Sequence, residues 1–253
     1  MSYLTGMVFI ALGLVAVSAQ AQDAATLQQA ERRGAELFDL ERVIEAARAA
    51  GEDVRAYRRD DEIAGWVATR SGEIYQVTFI RLRRGGEPVG RYRISVNRTG
   101  QALGGMERLD DLPLDAREAA QFRARQNAEA TPYNACSASY ETLVFPDASG
   151  GWSAYLMPHA AFSDVLLLGG TYRAQVSGDG NTVTSFGPLA SGCAVLQNPA
   201  DADALRFDDP AGGEINELHA YIGGRAGKPL YVNTGGKSWL VNAGRIQTVP
   251  ESP

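Results

Sequence analysis

Lysine is nearly missing from this chain of 253 residues: Lys228 and Lys237 stand alone, and every other basic residue is arginine. Histidine is as scarce, with His159 and His219, and so is cysteine, with Cys136 and Cys193. The formal charge is −6. The chain as a whole therefore lacks the basic excess that grips a phosphate backbone, which sets nucleic acid aside as a partner. Hydrolytic and nucleotide-binding signatures are absent as well. There is no G-x-S-x-G elbow, no S-x-x-K, no H-E-x-x-H and no phosphate-binding glycine loop. Charge is absent from residues 1–21, where Leu4 to Val17 is an apolar run and Ala19-Gln20-Ala21 has the small-x-small form of a cleavage site. The run is shorter than the roughly 20 residues that cross a bilayer. No cysteine follows it to carry a lipid. The expectation is a secretory leader, a mature chain from Gln22 in a periplasmic or secreted location, and no stable membrane insertion after cleavage. No Lys or Arg precedes the run, so a retained N-terminal anchor is the alternative.

What is present describes a folded protein. Hydrophobic residues make up 45% and aromatics 8%, and the length suffices for one large or two small domains with a real core. In an oxidising compartment an even pair of cysteines usually bridges. The expected bond joins Cys136 to Cys193, and closing that loop stabilises the fold by about 4 kcal/mol in the chain-entropy picture.

One phrase occurs twice. Gly90-Arg91-Tyr92-Arg93-Ile94-Ser95-Val96 and, ten residues from its start, Gly100 align with Gly170-Thr171-Tyr172-Arg173-Ala174-Gln175-Val176 and Gly180, as G-x-Y-R-x-x-V-x-x-x-G. Upstream of each lies a second match, Gly65-Trp66-Val67-Ala68 and Gly151-Trp152-Ser153-Ala154. Alternate residues of a strand face opposite sides, so Tyr92, Ile94 and Val96 share a face, as do Tyr172, Ala174 and Val176. Arg93 and Arg173 point the other way. Each phrase runs into a glycine- and asparagine-rich turn, as a hairpin requires.

Taken in order, apolar residues at three- and four-residue intervals predict a helix over Thr26 to Ala50. Strands follow at Gly65–Thr69, Ile74–Leu82 and Val89–Asn97, with Gln101–Met106 closing a four-stranded meander. A second helix over Asp115 to Ala130 leads into strands near Ser139–Phe145, Trp152–Met157, Val165–Leu168, Thr171–Val176 and Thr182–Phe186. The tail reads as short strands at Leu218–Ile222, Leu230–Asn233, Ser238–Asn242 and Arg245–Val249. The expected fold is α+β: two helix-then-antiparallel-meander repeats plus a small β-rich C-terminal subdomain. The divisions are a leader over 1–21, a first module over 22–112, a second, disulfide-closed module over 113–198, and an acidic connector with a β-rich tail over 199–253.

For chemistry the candidates are few. His159 and His219 are the side chains available as a general base, with Asp164 and Ser163 or Ser191 as conceivable companions; nothing in their spacing singles out a site. Asp201, Asp203, Asp208, Asp209, Glu214 and Glu217 form an acidic stretch without the D-x-D-x-D-G pattern of a calcium loop. It reads as a solvated loop or as a complement to the arginine-rich first meander. Residues 63–100 hold seven arginines against Glu73 and Glu87. Those arginines either grip anionic ligands or guard strand edges against aggregation. Binding candidates are Arg93, Arg173, Trp66 and Trp152; no metal or cofactor is implied. Gly169-Gly170, Tyr172-Arg173, Val176 and Cys193, with the tail phrase Gly227-Lys228-Pro229-Leu230-Tyr231-Val232, resemble a group of exported proteobacterial proteins without an assigned activity. The duplicated helix-plus-meander also resembles, in architecture, the small inhibitory or scaffolding modules of the bacterial envelope such as PepSY-type domains. Both resemblances imply an accessory role: an exported, non-catalytic protein that binds a protein or envelope component. An exported hydrolase built around one histidine is the alternative.

Overall fold

Leu37, Leu40, Ile44 and Ala47 recur at helical spacing, and in the computed structural model all four are buried on one face of helix α1 (Ala11–Glu52). The structure describes residues 11–162, 164–190, 192–209 and 213–249, and of 11–23 the backbone alone. Residues 1–10 of the expected leader lie outside the described residues, and residues 11–21 belong to α1. The helix is therefore longer than the Thr26–Ala50 periodicity indicates. The fold is α+β. It divides into two compact units, one of residues 36–205 and one that joins residues up to 35 with 206–253.

In the unit of 36–205, a single helical turn, α2 (Arg55–Arg58), follows α1. An antiparallel sheet comes next, in the order β1 (Ile63–Ser71), β2 (Ile74–Leu82), β3 (Pro88–Asn97) and β4 (Glu107–Pro113). The fourth strand is displaced from the expected Gln101–Met106. Val96 and Ala102 make only an isolated bridge, and the chain leaves the ladder at Gly104, whose φ of +133° suits glycine. Pairing resumes where Glu107 meets Arg93. Strand β2 is buried on both sides from Val77 to Ile80, because Phe122 packs against Ile80 and Val67.

Phe122 belongs to α3 (Ala116–Ala130), which starts at Asp115 with a capping box: the Asp115 carboxylate accepts from the Glu118 N–H, and Glu118 accepts from the Asp115 N–H. It stops at Thr131 because Pro132 disfavours a helical residue before it. The small face of α3, Ala120, Ala124 and Ala128, lies on Val144, Trp152, Ala154, Leu156, Ala174 and Val176. These belong to the second sheet, ordered β5 (Tyr140–Pro146), β6 (Trp152–Pro158), β8 (Tyr172–Val176) and β9 (Val183–Pro188). Strand β7 (Val165–Leu167), which lies between β6 and β8 in sequence, pairs instead with β10 (Val195–Gln197) as a two-stranded ribbon. The Cys136–Cys193 disulfide is formed and ties this ribbon to the start of the second meander.

The repeated phrase lies on the third strand of both meanders and makes the same contacts twice. Gly100 and Gly180, at φ +81° and +79°, turn the chain back onto the preceding helix. There Arg42 of α1 donates to the Arg98 carbonyl, and Arg123 of α3 donates to the Asp179 carbonyl. The tyrosine hydroxyls reach the segment between helix and first strand: Tyr92 to Asp60, Tyr172 to the Asn134 carbonyl. Tyr57 and Tyr133 stand against those two rings at 5.5 and 5.1 Å. The tryptophan match does not extend this symmetry, because Trp66 is on the first strand of its sheet and Trp152 on the second of its own.

The other unit contains the largest correction. Leu218–Ile222, expected as a strand, is the start of helix α4 (Glu217–Ala226), capped by Asn216 and closed by Gly227 in the left-handed conformation. Leu218, Tyr221 and Ile222 are spaced for a helix face and all three are buried. The sheet here runs β11 (Leu205–Asp208), β12 (Leu230–Thr234), β13 (Lys237–Asn242) and β14 (Arg245–Thr248). Strand β11 falls in what the sequence reads as a polar connector. Gly34 of α1 presses on α4, where an added Cβ would stand 2.5 Å from that of Ala220. Glu31 accepts from the Ile246 N–H at 2.8 Å and pairs with Arg245.

Candidate binding sites

In the unit of 36–205, the charged and aromatic candidates are largely absorbed into the fold. Six of the seven arginines of the first meander meet carboxylates of their own unit. Arg81 pairs with Glu62 and Asp111, Arg83 with Glu87 and Asp111, and Arg91 with Asp60 and Asp111. Arg70 pairs with Glu73, Arg98 with Asp39 and Glu73, and Arg93 with Glu118. Asp111 sits at φ +53° on β4. Its hydrogen bond with Arg81 leads the effects that hold its carboxyl below the usual range, against the cost of desolvation. The acidic stretch serves other ends: Asp208 accepts from Asn233, and Asp209 from Thr234.

Trp66 is buried, and its Nε1–H donates to Glu141 Oε1 at 2.9 Å. The Arg125 guanidinium lies 4.9 Å from the centre of the Trp66 ring and also pairs with Glu141 at 3.2 Å, while Arg48 reaches the other carboxylate oxygen at 2.5 Å. Burial by itself would raise the Glu141 carboxyl, and Arg48, Arg125 and Trp66 together outweigh it and hold the group below its ordinary value. Trp152 is buried too and donates to the Gly178 carbonyl at 3.0 Å. Arg93 is fixed by Thr78 and Glu118, whereas Arg173, its counterpart, is exposed on β8 opposite Tyr155 and Gly187. Of the four binding candidates, three are therefore held inside the fold.

The histidines have unlike settings. His159 is exposed at the end of the second sheet, where its backbone bonds to Ser139 and Ser137. Ser163 and Ser191 lie outside the described residues. His219 is 1% exposed in the first turn of α4. Its Nδ1 lies 3.2 Å from both the backbone nitrogen and the side-chain Oδ1 of Asn216, and its buried Nε2 has no partner among the described residues. Burial pushes its pKa down to about 4 against the pull of Asp209 and Glu217. The imidazole is thus a neutral structural group that caps the helix.

Two features remain with unspent binding capacity. One is the β7–β10 ribbon. Leu166 and Leu196 point inward and are buried, while Val195 on the other face is 53% exposed and Val165 and Leu167 are half-buried. Phe162, just ahead of β7, is 70% exposed. The other is a cavity of about 300 Å³ in the unit of α4, lined by Thr26 and Leu27 of α1, Glu214, Ile215, and Thr234, Gly235, Lys237 and Trp239 of the β12–β13 hairpin. Trp239 is buried, yet its Nε1–H has no hydrogen-bond partner among the described residues. Sequence reasoning missed this site. A usable signal existed: Lys237 is one of two lysines in a chain that otherwise uses arginine, and it stands two residues from a tryptophan.

No family model matches the chain, and no curated protein matches it. Among solved structures, the Bacillus megaterium YpeB C-terminal domain aligns over 59% of this chain and 66% of that chain, just under two thirds of its length, at 11% identity with a TM-score of 0.20. A likeness that weak carries no argument about fold or function. Among the described residues, no helix is long and apolar enough to cross a membrane.

Proposed function

We propose that this chain is an exported binding or accessory protein, periplasmic or secreted, that works through a protein partner rather than through catalysis. The observation that carries this reading is the β7–β10 ribbon. It leaves Val195 in solvent opposite the half-buried Leu167, on the face that also carries Val165, and Phe162 is exposed in the segment that leads into β7. Among the described residues no third strand pairs with either edge of the ribbon. Exposed apolar side chains beside open backbone groups suit an extended segment of another protein, which adds as a further strand while its side chains cover the apolar face. The Cys136–Cys193 bond supports the same reading twice. It fits an oxidising compartment, and it holds the ribbon in a fixed place for docking.

The hydrolase alternative is disfavoured by the histidines. His219 spends Nδ1 on a helix cap and is closed off from solvent. His159 has no carboxylate or hydroxyl bonded to its ring among the described residues.

The test is capture from native envelope extract with the tagged full chain, run in parallel for the parent, Phe162→Asp and Val195→Lys. The reading expects a protein retained by the parent and lost from both variants, with unchanged thermal midpoints because neither side chain is buried. Equal retention by parent and variants would remove the ribbon as the docking surface. A parent that retains no protein would remove the partner reading itself.

A further inference from the structure

The cavity under the β12–β13 hairpin carries an inference independent of the ribbon. Its lining combines opposite charges with apolar wall. Glu214 and Lys237 bring opposite charges, and neither has an ion-pair partner among the described residues; the ammonium of Lys237 rests 5.9 Å from the centre of the Trp239 ring. Leu27, Ile215 and the Trp239 ring bring apolar wall. The Trp239 N–H is closed off from water, so the indole offers the cavity its ring and no donor. Thr234, by contrast, is already bonded to Asp209 and Gly213 and serves as wall.

The volume of about 300 Å³ lies at the small end of ligand sites. A simple anion would meet Lys237 but also the Glu214 carboxylate. A simple cation would meet Glu214 but also the Lys237 ammonium. A molecule with both charges satisfies both. We propose that this cavity binds a small zwitterion with an apolar body, of the free amino-acid or short-peptide class. The ligand carboxylate accepts from Lys237, its ammonium donates to Glu214, and its side chain lies on Leu27, Ile215 and the Trp239 ring.

The experiment uses the indole N–H signals of the ¹⁵N-labelled full chain. There are three tryptophans, and Trp239→Phe identifies the relevant signal. Leucine and leucyl-leucine are titrated separately to distinguish the free amino acid from the peptide. N-acetyl-leucyl-leucine and leucyl-leucine amide then remove one charge each. The proposal expects a saturable shift of the Trp239 signal with at least one zwitterion, and Trp66 and Trp152 signals that stay in place. Each blocked form should bind about tenfold or more weakly, the loss of one charge-assisted contact. Lys237→Met should abolish the penalty for amidation and Glu214→Gln the penalty for acetylation; both residues are exposed at the rim, so the variants fold. No shift with any of the four probes overturns the proposal. So does binding of a blocked form as tight as that of its zwitterion.

Discussion

Acidification should destabilise the unit of α4 through one residue, His219. Its pKa is about 4 in the fold against 6.5 for a free imidazole. Between those values the unfolded chain binds a proton that the folded chain refuses, so stability falls as pH drops through the window from 6.5 to 4. From pH 7 to pH 5 the loss amounts to about 2 kcal/mol, rising to about 3 kcal/mol at pH 4. The shifted carboxylates of the unit of 36–205 act in a lower range. Glu141, Asp60 and Asp111 are all held below the usual carboxylate pKa and stay ionised at pH 5. The assay is urea unfolding at pH 7, 6 and 5, followed at the NMR signals of α4, for the parent and for His219→Asn. Asparagine places an acceptor near Nδ1 to receive the Asn216 N–H and does not titrate. The parent should lose about 2 kcal/mol more than the variant across this range. Parallel pH dependence in the two proteins would refute the reasoning, because it would mean that the buried imidazole does not resist protonation.

Three further outcomes follow from the packing. Glu141→Gln leaves the buried Arg125 with only the exposed Glu129 as counter-charge, and a loss of about 2 kcal/mol is expected in denaturant unfolding; a loss well under 1 kcal/mol would show that the pair is not closed off from water. Alanine at the two repeat glycines should separate them. Gly100→Ala costs about 1 kcal/mol for its left-handed backbone, since the nearest atom to the new Cβ is 3.4 Å away. Gly180→Ala adds a Cβ 2.1 Å from the Ala120 carbonyl oxygen and should cost about 3 kcal/mol or more, so comparable thermal midpoints for the two variants would contradict the docked turn. Replacing Cys136 and Cys193 by serine should lower stability by about 4 kcal/mol at neutral pH, as the 57-residue separation implies; an unchanged urea midpoint would argue against that loop-entropy estimate.

Much of this architecture was legible in the sequence because it rests on local rules. Alternation placed β2 at Ile74–Leu82, and the second helix, expected over Asp115 to Ala130, is α3 with Asp115 as its cap. The G-x-Y-R-x-x-V-x-x-x-G phrase is readable for a physical reason: its glycine needs a positive φ, and its tyrosine and valine need one buried face. The oxidising-compartment argument paired Cys136 with Cys193 without any coordinates. Where local signals competed, the sequence misled. Leu218–Ile222 is short and apolar, which suits strand or helix equally, and the Asn216 cap with Gly227 beyond decided for the helix.

The chain alone therefore determined the α+β class, the repeat and the disulfide, each of which depends on residue type and short spacing. The tertiary structure decided what the conspicuous side chains do. Arg93 is bound because Glu118 arrives from a helix 25 residues later, and Trp66 donates across 75 residues to Glu141. The cavity exists because Leu27 of α1 and Trp239 of β13, 212 positions apart, line one space. Periodicity and spacing say nothing about contacts at such separations; the folding of the backbone alone brings them together.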